Sequence, residues 1–183
     1  MADAAERYKD KVNSSVLGEY WQFYIVPNWG EYGAGKNNMR MGFPPPLSGH
    51  LHNIYGQSCG AFIRSEIWAC LAPGNPDIAV RYAFEDAVVD HFEEGLYAEV
   101  FCAAIESAAF VEEDIEALID IGLSYLPKGC GISRAVACIR ACRQEGMDWK
   151  ETRRRLLSRC PEALEYCAVR RRSGTIRRSV RSW

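Results

Sequence analysis

Apolar residues recur every three to four positions through most of this chain, and the interruptions of that rhythm divide it into a succession of helices. Val16 to Val26 holds Leu17, Tyr20, Trp21, Phe23 and Tyr24, which predicts a helix closed by Pro27; a short strand over Phe23–Val26 is the alternative reading. Residues 28–56 carry six glycines and the triplet Pro44-Pro45-Pro46, and predict a long irregular connection. So long a connection inside a compact domain is functional or disordered, and here it could be a lid or an ordered surface crossing. Cys59 to Leu71 reads as a helix with Phe62, Ile63, Ile67 and Trp68 facing inward.

The centre of the chain has the clearest punctuation. Ala72-Pro73-Gly74 breaks the pattern, Asn75 is a good N-cap, and Pro76 suits the first helical position, where its missing N–H is not needed. From Asp77 onward Ile78, Tyr82 and Val89 keep helical spacing beside the small Ala79, Ala83 and Ala87. The helix should fail near His91-Phe92, with Gly95 supplying backbone freedom for a bend. Tyr97 to Phe110 is then apolar on nearly every side, broken only by Glu99, Glu106 and Ser107, as befits the middle of a helical bundle. Its fourteen residues fall short of the roughly 20 that a bilayer requires.

Further helices are expected over Asp114–Leu126, with an inward stripe of Ile115, Leu118, Ile119 and Leu123, and from a Ser133 cap to Gln144. Two more follow, over Trp149–Cys160 behind an Asp148 cap and over Glu162–Val169. The pattern is that of an all-α, multi-helix bundle.

Composition sharpens this picture at the two ends. At 183 residues, 48% of them hydrophobic, one domain with a real core is expected over 1–169, with 1–13 frayed. The net charge of −2 hides six arginines and no acid in Arg170–Trp183, leaving about −8 on the residues before them. Residues 170–183 are expected to be a disordered basic tail. A truncated or frame-shifted coding region would explain so abrupt an end, and a nucleic-acid-binding arm or a membrane-surface tail are the alternatives. Against a nucleic-acid partner, the basic charge sits in the tail and Trp183 is its one stacking aromatic. The opening residues are too polar for a signal peptide and no apolar run is long enough to span a membrane. The eight cysteines are scattered as small buried apolar groups would be in a reducing compartment. A cytoplasmic location follows, with no membrane partner.

Candidate chemistry is sparse. Gly30, Gly35 and Lys36 fit a phosphate loop, but Asn37 stands where a hydroxyl should hold Mg²⁺ and three prolines follow instead of a helix. Cys138 and Cys142 share a helix face without a further ligand pair nearby, and His50 and His52 lie far off in the glycine-rich segment. Asp86, Asp90, His91, Glu93, Glu94 and Glu99 make a dense acidic knot, readable as paired carboxylates for glycosidic chemistry or as a solvated helix face. Asp86 and Asp90, four apart, share a face.

The order of features from Trp29 to Trp149 resembles the ADP-ribosylglycohydrolase family, an all-α group of metal-dependent hydrolases. The resemblance rests on WGEYGAGKNNMRMGFPPPLSG, Gly60-Ala61 with Ile63-Arg64, the Pro-Gly-Asn-Pro turn at 73–76, Asp86, Asp90-His91, Gly95-Leu96-Tyr97, the alanine-rich helix, and LSYLP followed by GMDW. It implies an orthogonal helical bundle, hydrolysis at ribose C1 of ADP-ribose conjugates, Mg²⁺ in the complete family, and ADP-ribose or an ADP-ribosylated substrate as partner. It also implies pocket roles for Gly60, Gly95 and Tyr97, with Asp90 and His91 as supports. The family's metal runs, Thr-Asp-Asp-Thr early and Gly-Asp-Thr-Asp-Thr late, do not occur in these residues. The catalytic residues are therefore unassigned, no residue is assigned to metal, and Asp86 and Asp90 are not read as the family's ligands. The expectation is an incomplete bundle, a fragment with little or no turnover, prone to self-association through uncovered faces of Tyr97–Phe110. The rival reading is a non-enzymatic helical nucleotide-binding or interaction module.

Overall fold

The computed structural model describes residues 11–23 and 29–159, so the lead over 1–10, the strand alternative beyond Phe23, the helix over 162–169 and the tail over 170–183 lie outside the described residues. Every regular element within them is helical. The chain divides into two units, residues 1–126 and 127–183. In the first lie α1 (Ser14–Phe23), α2 (Gly30–Arg40), the short α3 (Leu47–His50), a 3₁₀ turn (Phe62–Arg64) running into α4 (Ser65–Leu71), α5 (Pro76–Ala87), α6 (Glu93–Ala108) and α7 (Ile115–Ser124). The second holds α8 (Gly131–Gln144) and α9 (Trp149–Arg159).

Helix α6 is the centre of the first unit and packs against α4, α5, α7 and the 3₁₀ turn. Close packing is possible because both partners in its main contact are lined with alanine: Ala79, Ala83 and Ala87 of α5 and Ala103, Ala104 and Ala108 of α6 are all buried. Trp68 and Tyr82 fill the remaining volume, their rings 5.8 Å apart. The expected apolar helix at the middle of a bundle is thus present, but its faces are covered. Exposed apolar side chains lie outside α6, among them Ile63, Ile67 and Leu71, and Phe110, Val111 and Ile115, the last of which does not face inward as expected.

Local signals set the helix starts. Asn75 Oδ1 accepts from the N–H of Ile78, with Pro76 at the first helical position. Ser107 locks this turn onto α6, donating to the Ala72 carbonyl at 2.5 Å and accepting from the Asn75 N–H at 3.1 Å. Asp114 accepts from Glu116 and Ala117 at the start of α7. In the second unit α8 and α9 pack on each other. Cys130 rather than Ser133 caps α8, three residues earlier than expected. Gly146, at φ +72°, ends α8 in a Schellman arrangement, with Met147 N–H reaching the Cys142 carbonyl. Asp148 caps α9 through the Glu151 N–H.

Three expectations need correction. The connection over 28–56 is not irregular: α2 occupies 30–40, despite the poor intrinsic helicity of its glycines and asparagines. Tertiary contact overrides propensity there, since Gly35 lies so close to Val89 and Asp90 that a Cβ would come within 2.9 Å of the Val89 carbonyl oxygen. Second, Phe62, Ile63 and Ile67 do not face inward; Arg64 and Trp68, one turn apart, take the inner face and leave both isoleucines more than half exposed. Third, Gly95 does not make the bend. It lies inside α6, and the residue with left-handed backbone at the α5–α6 junction is Glu93, at φ +44°.

Candidate functional site

The site is built on the five residues Val88–Phe92, which join α5 to α6 and carry Asp90 and His91. Residues 35–56 hold this segment by its backbone. Ser48 Oγ donates to the Val89 carbonyl at 2.7 Å, Asn53 Nδ2 to the Asp90 carbonyl at 2.6 Å, and Phe92 N–H to the Gly56 carbonyl at 2.9 Å. Asn38 in turn fixes the turn around Ser48 by donating to the Ser48 and Leu51 carbonyls. Gly49 permits the approach: a Cβ there would lie 2.6 Å from the His91 carbonyl oxygen and 2.7 Å from that of Val88.

Arg64 is the hub of the side chains. Its Nε donates to Asp86 Oδ2 at 2.9 Å, and its two terminal nitrogens clasp both oxygens of Asp90 at 3.1 and 2.9 Å. One of them also lies 3.8 Å from Glu99 Oε2. Trp68 Nε1 donates to Asp86 Oδ2 and Glu99 Oε1, each at 3.1 Å. Outside, the guanidinium carbon lies 5.0 Å from the ring of Trp21 and 5.4 Å from that of Tyr32, two rings stacked on each other. His91 Nδ1 donates to Asp90 Oδ1 at 2.7 Å, since a carboxylate can only accept, and this leaves Nε2 facing Ser58 Oγ at 3.3 Å.

The electrostatics separate the acids. Burial alone would raise Asp90, but the charge of Arg64 and the hydrogen bonds from His91 and Arg64 outweigh it and hold Asp90 below the usual carboxylate range. Burial likewise works against the Arg64 cation, and Asp90 and Asp86 overcome it and raise its pKa. Glu99 goes the other way: burial, and then the nearness of Asp86, push it up to about 10, so it carries its proton at neutral pH. Its Oε2 is buried without a hydrogen-bond partner.

Of the residues expected at the site, Asp90 and His91 meet in this cluster and are almost wholly buried. The reading of the acidic knot as a solvated face therefore fails for Asp86, Asp90, His91 and Glu99, while Glu93 is exposed and pairs with Gln57. Gly60 is buried, and a Cβ on it would meet the end of the Glu31 side chain. Gly95 faces the backbone of Gly56 and Gln57 and the ring of His91, with a Cβ due 2.6 Å from the Gly56 carbonyl oxygen. Protein atoms thus fill the space over both glycines. Tyr97 is half-buried on α6, one turn beyond Glu93. The phosphate-loop pattern lies within α2, with Gly35 and Lys36 buried in a helix, so no phosphate cradle forms.

This ordered match of glycines, acids and turns has a counterpart in the family comparison: the ADP-ribosylglycohydrolase family matches residues 2–181. The chain belongs to that family. The match is wider than Trp29–Trp149 and takes in most of the basic segment over 170–183. No curated protein and no solved structure matches the chain. The divalent metal that the family implies does not fit the acids of the cluster. Both oxygens of Asp90 are taken by Arg64 and His91, Asp86 shares the same guanidinium, and Mg²⁺ requires an octahedral set of oxygens with charge to spare. Among the described residues, no group of three or more His, Cys, Asp or Glu is placed to hold a metal ion, and no helix is long and apolar enough to cross a membrane.

Sequence reasoning named Glu99 in the acidic knot and set Trp68 facing inward, but missed Arg64 as the hub and Trp21 and Tyr32 beside it. One signal was available: Asp86 and Asp90 stand four apart in a stretch poor in cations, although Asp90 lies beyond the end of α5 and not on the helix face expected, and a buried carboxylate pair needs a cation. Arg64 and Trp68, also four apart, present that donor set.

Proposed function

We propose that the chain binds an ADP-ribose-bearing ligand beside the Val88–Phe92 segment, with Tyr97 near the ligand, Gly60 and Gly95 allowing the close packing behind it, and Asp90 and His91 as supports. It hydrolyses the ribosyl C1 bond weakly or not at all. The observation that carries the reading is that one guanidinium holds both oxygens of Asp90 and one oxygen of Asp86. Cleavage at ribose C1 builds positive charge on the sugar and requires an activated water, a task for a carboxylate free to accept a proton. Here the carboxyl group best held in its charged form, Asp90, is fully committed to Arg64 and His91, and its neighbour Glu99 is already protonated. What remains is a rigid support for a nucleotide: a fixed loop, a histidine with defined tautomer, and a tyrosine face on α6.

Calorimetric titration with ADP-ribose should show binding that Tyr97→Ala weakens several-fold. A release assay on an ADP-ribosylated peptide with added Mg²⁺ should stay near background. Robust turnover would overturn the low-activity reading, and absence of any heat would overturn the ligand. A second reading, a helical interaction module, is favoured by the exposed stripe Ile63, Ile67 and Leu71 at four-residue spacing. Under that reading ADP-ribose gives no heat and no stabilisation.

A further inference from the structure

Basic charge is not confined to the tail. The division of the chain at Leu126 separates seven Lys and Arg with nineteen Asp and Glu on one side from fifteen with five on the other. Within the described part of the second unit alone, residues 127–159, nine basic residues face three acids. Helix α9 concentrates them. At 100° per residue, Trp149, Lys150, Arg153 and Arg154 fall within an arc of about 140°, and all four are exposed. The side turned to α8 is occupied differently, by half-buried Thr152, Leu156 and Arg155, the last paired with Glu145 at 2.7 Å. Trp149 is 71% exposed, and the Lys150 ammonium lies 5.5 Å from its ring centroid.

These cations do little for the fold. Lys150 and Arg154 are like charges one turn apart, an arrangement that weakens a helix unless anions lie against it. The Trp149 indole, mostly exposed beside Lys150, buries little of its surface in the fold. From the charge complementarity and the aromatic set among it, we propose that this face of α9 binds the phosphate backbone of single-stranded nucleic acid, with Trp149 stacking on a base. The cations supply a salt-dependent attraction that ignores sequence, and the indole supplies a flat face that any base can meet. The proposal is independent of the ADP-ribose reading, since it uses none of the residues around Arg64.

The test uses the full chain and a fluorescent 20-nucleotide oligothymidine, read by anisotropy over a range of salt concentrations. The triple variant Lys150→Gln, Arg153→Gln, Arg154→Gln should keep its helical circular dichroism, because glutamine is a good helix former. Its slope of log affinity against log salt should be shallower by about 2, for three phosphate contacts on a single strand. Trp149→Ala should lose about tenfold in affinity with the slope unchanged. Wild-type affinity and slope in the folded triple variant would overturn the proposal and assign any binding to the tail. Binding to phosphatidylserine vesicles without binding to oligothymidine would overturn it in favour of a membrane surface.

Discussion

Arg64 donates through all of its guanidinium nitrogens to buried carboxyl groups, so its removal strands Asp86 and Asp90 without a counter-charge. Arg64→Ala is therefore expected to destabilise the first unit by about 3–5 kcal/mol, read from urea unfolding. Arg64→Lys should recover only part of this, because an ammonium cannot clasp both oxygens of Asp90 while reaching Asp86. Equal midpoints for the lysine variant and wild type would show that charge alone, without the fork geometry, holds the cluster. Glu99 supplies the pH test. Its folded pKa, about 10, lies above the ordinary 4.5, so between those values the folded state binds the extra proton. Stability from this group is complete below about 4.5 and is lost as pH rises toward 10. Asp90, shifted downward, acts in the opposite sense and only at acid pH, where its contribution is lost as pH falls. Glu99→Gln mimics the protonated acid, so its unfolding midpoint should fall less than that of wild type between pH 5 and pH 9. Parallel pH profiles would mean that Glu99 is ionised in the folded chain.

At the scale of elements, what packs against Val88–Phe92 decides the site, and Gly49 is the glycine pressed closest to its backbone. Gly49→Ala drives a Cβ into the backbone of Val88 and His91, which has nowhere to move without shifting Asp90. A loss of about 1–3 kcal/mol is expected. Gly60→Ala meets only the flexible end of Glu31, so thermal unfolding should show a smaller loss. A larger loss for Gly60→Ala than for Gly49→Ala would reverse the assignment of the constrained glycine. The elements also show what a single sequence discloses. Asn75, Pro76 and Asp148 were readable because a cap acts on N–H groups only two or three residues away, whereas Ser133 was displaced as cap by Cys130. Helix α6 was readable because its apolar residues surround it on all sides. Helix α2 was not, since its glycines look like loop residues until Val89 and Asp90 are placed against them. Arg64 escaped for the same reason: its partners lie 22 and 26 residues away, and nothing local distinguishes it from a surface arginine.

For the whole molecule, the dominant feature is a charge split that the net value of −2 conceals. With an excess of twelve acids on residues 1–126 and ten bases on residues 127–183, each copy presents the complement of part of another. Two attractions between copies are then available, and salt moves them in opposite directions. Charge pairing weakens as the Debye length shortens, from about 30 Å at 0.01 M to about 8 Å at 0.15 M. Apolar contact through Ile63, Ile67 and Leu71 strengthens in a salting-out anion such as sulfate. The covered state of α6 removes its apolar face from this competition, leaving separate exposed side chains such as Ile63, Ile67 and Leu71, and Phe110, Val111 and Ile115. Charge should therefore govern association: light scattering should show oligomers at about 0.02 M salt that dissolve by about 0.3 M, where attraction beyond about 6 Å is largely screened. The α9 triple glutamine variant, with three fewer cations, should dissolve at lower salt than wild type. Association that instead grows with added sulfate, and that Ile67→Glu abolishes, would place the attraction in the apolar stripe.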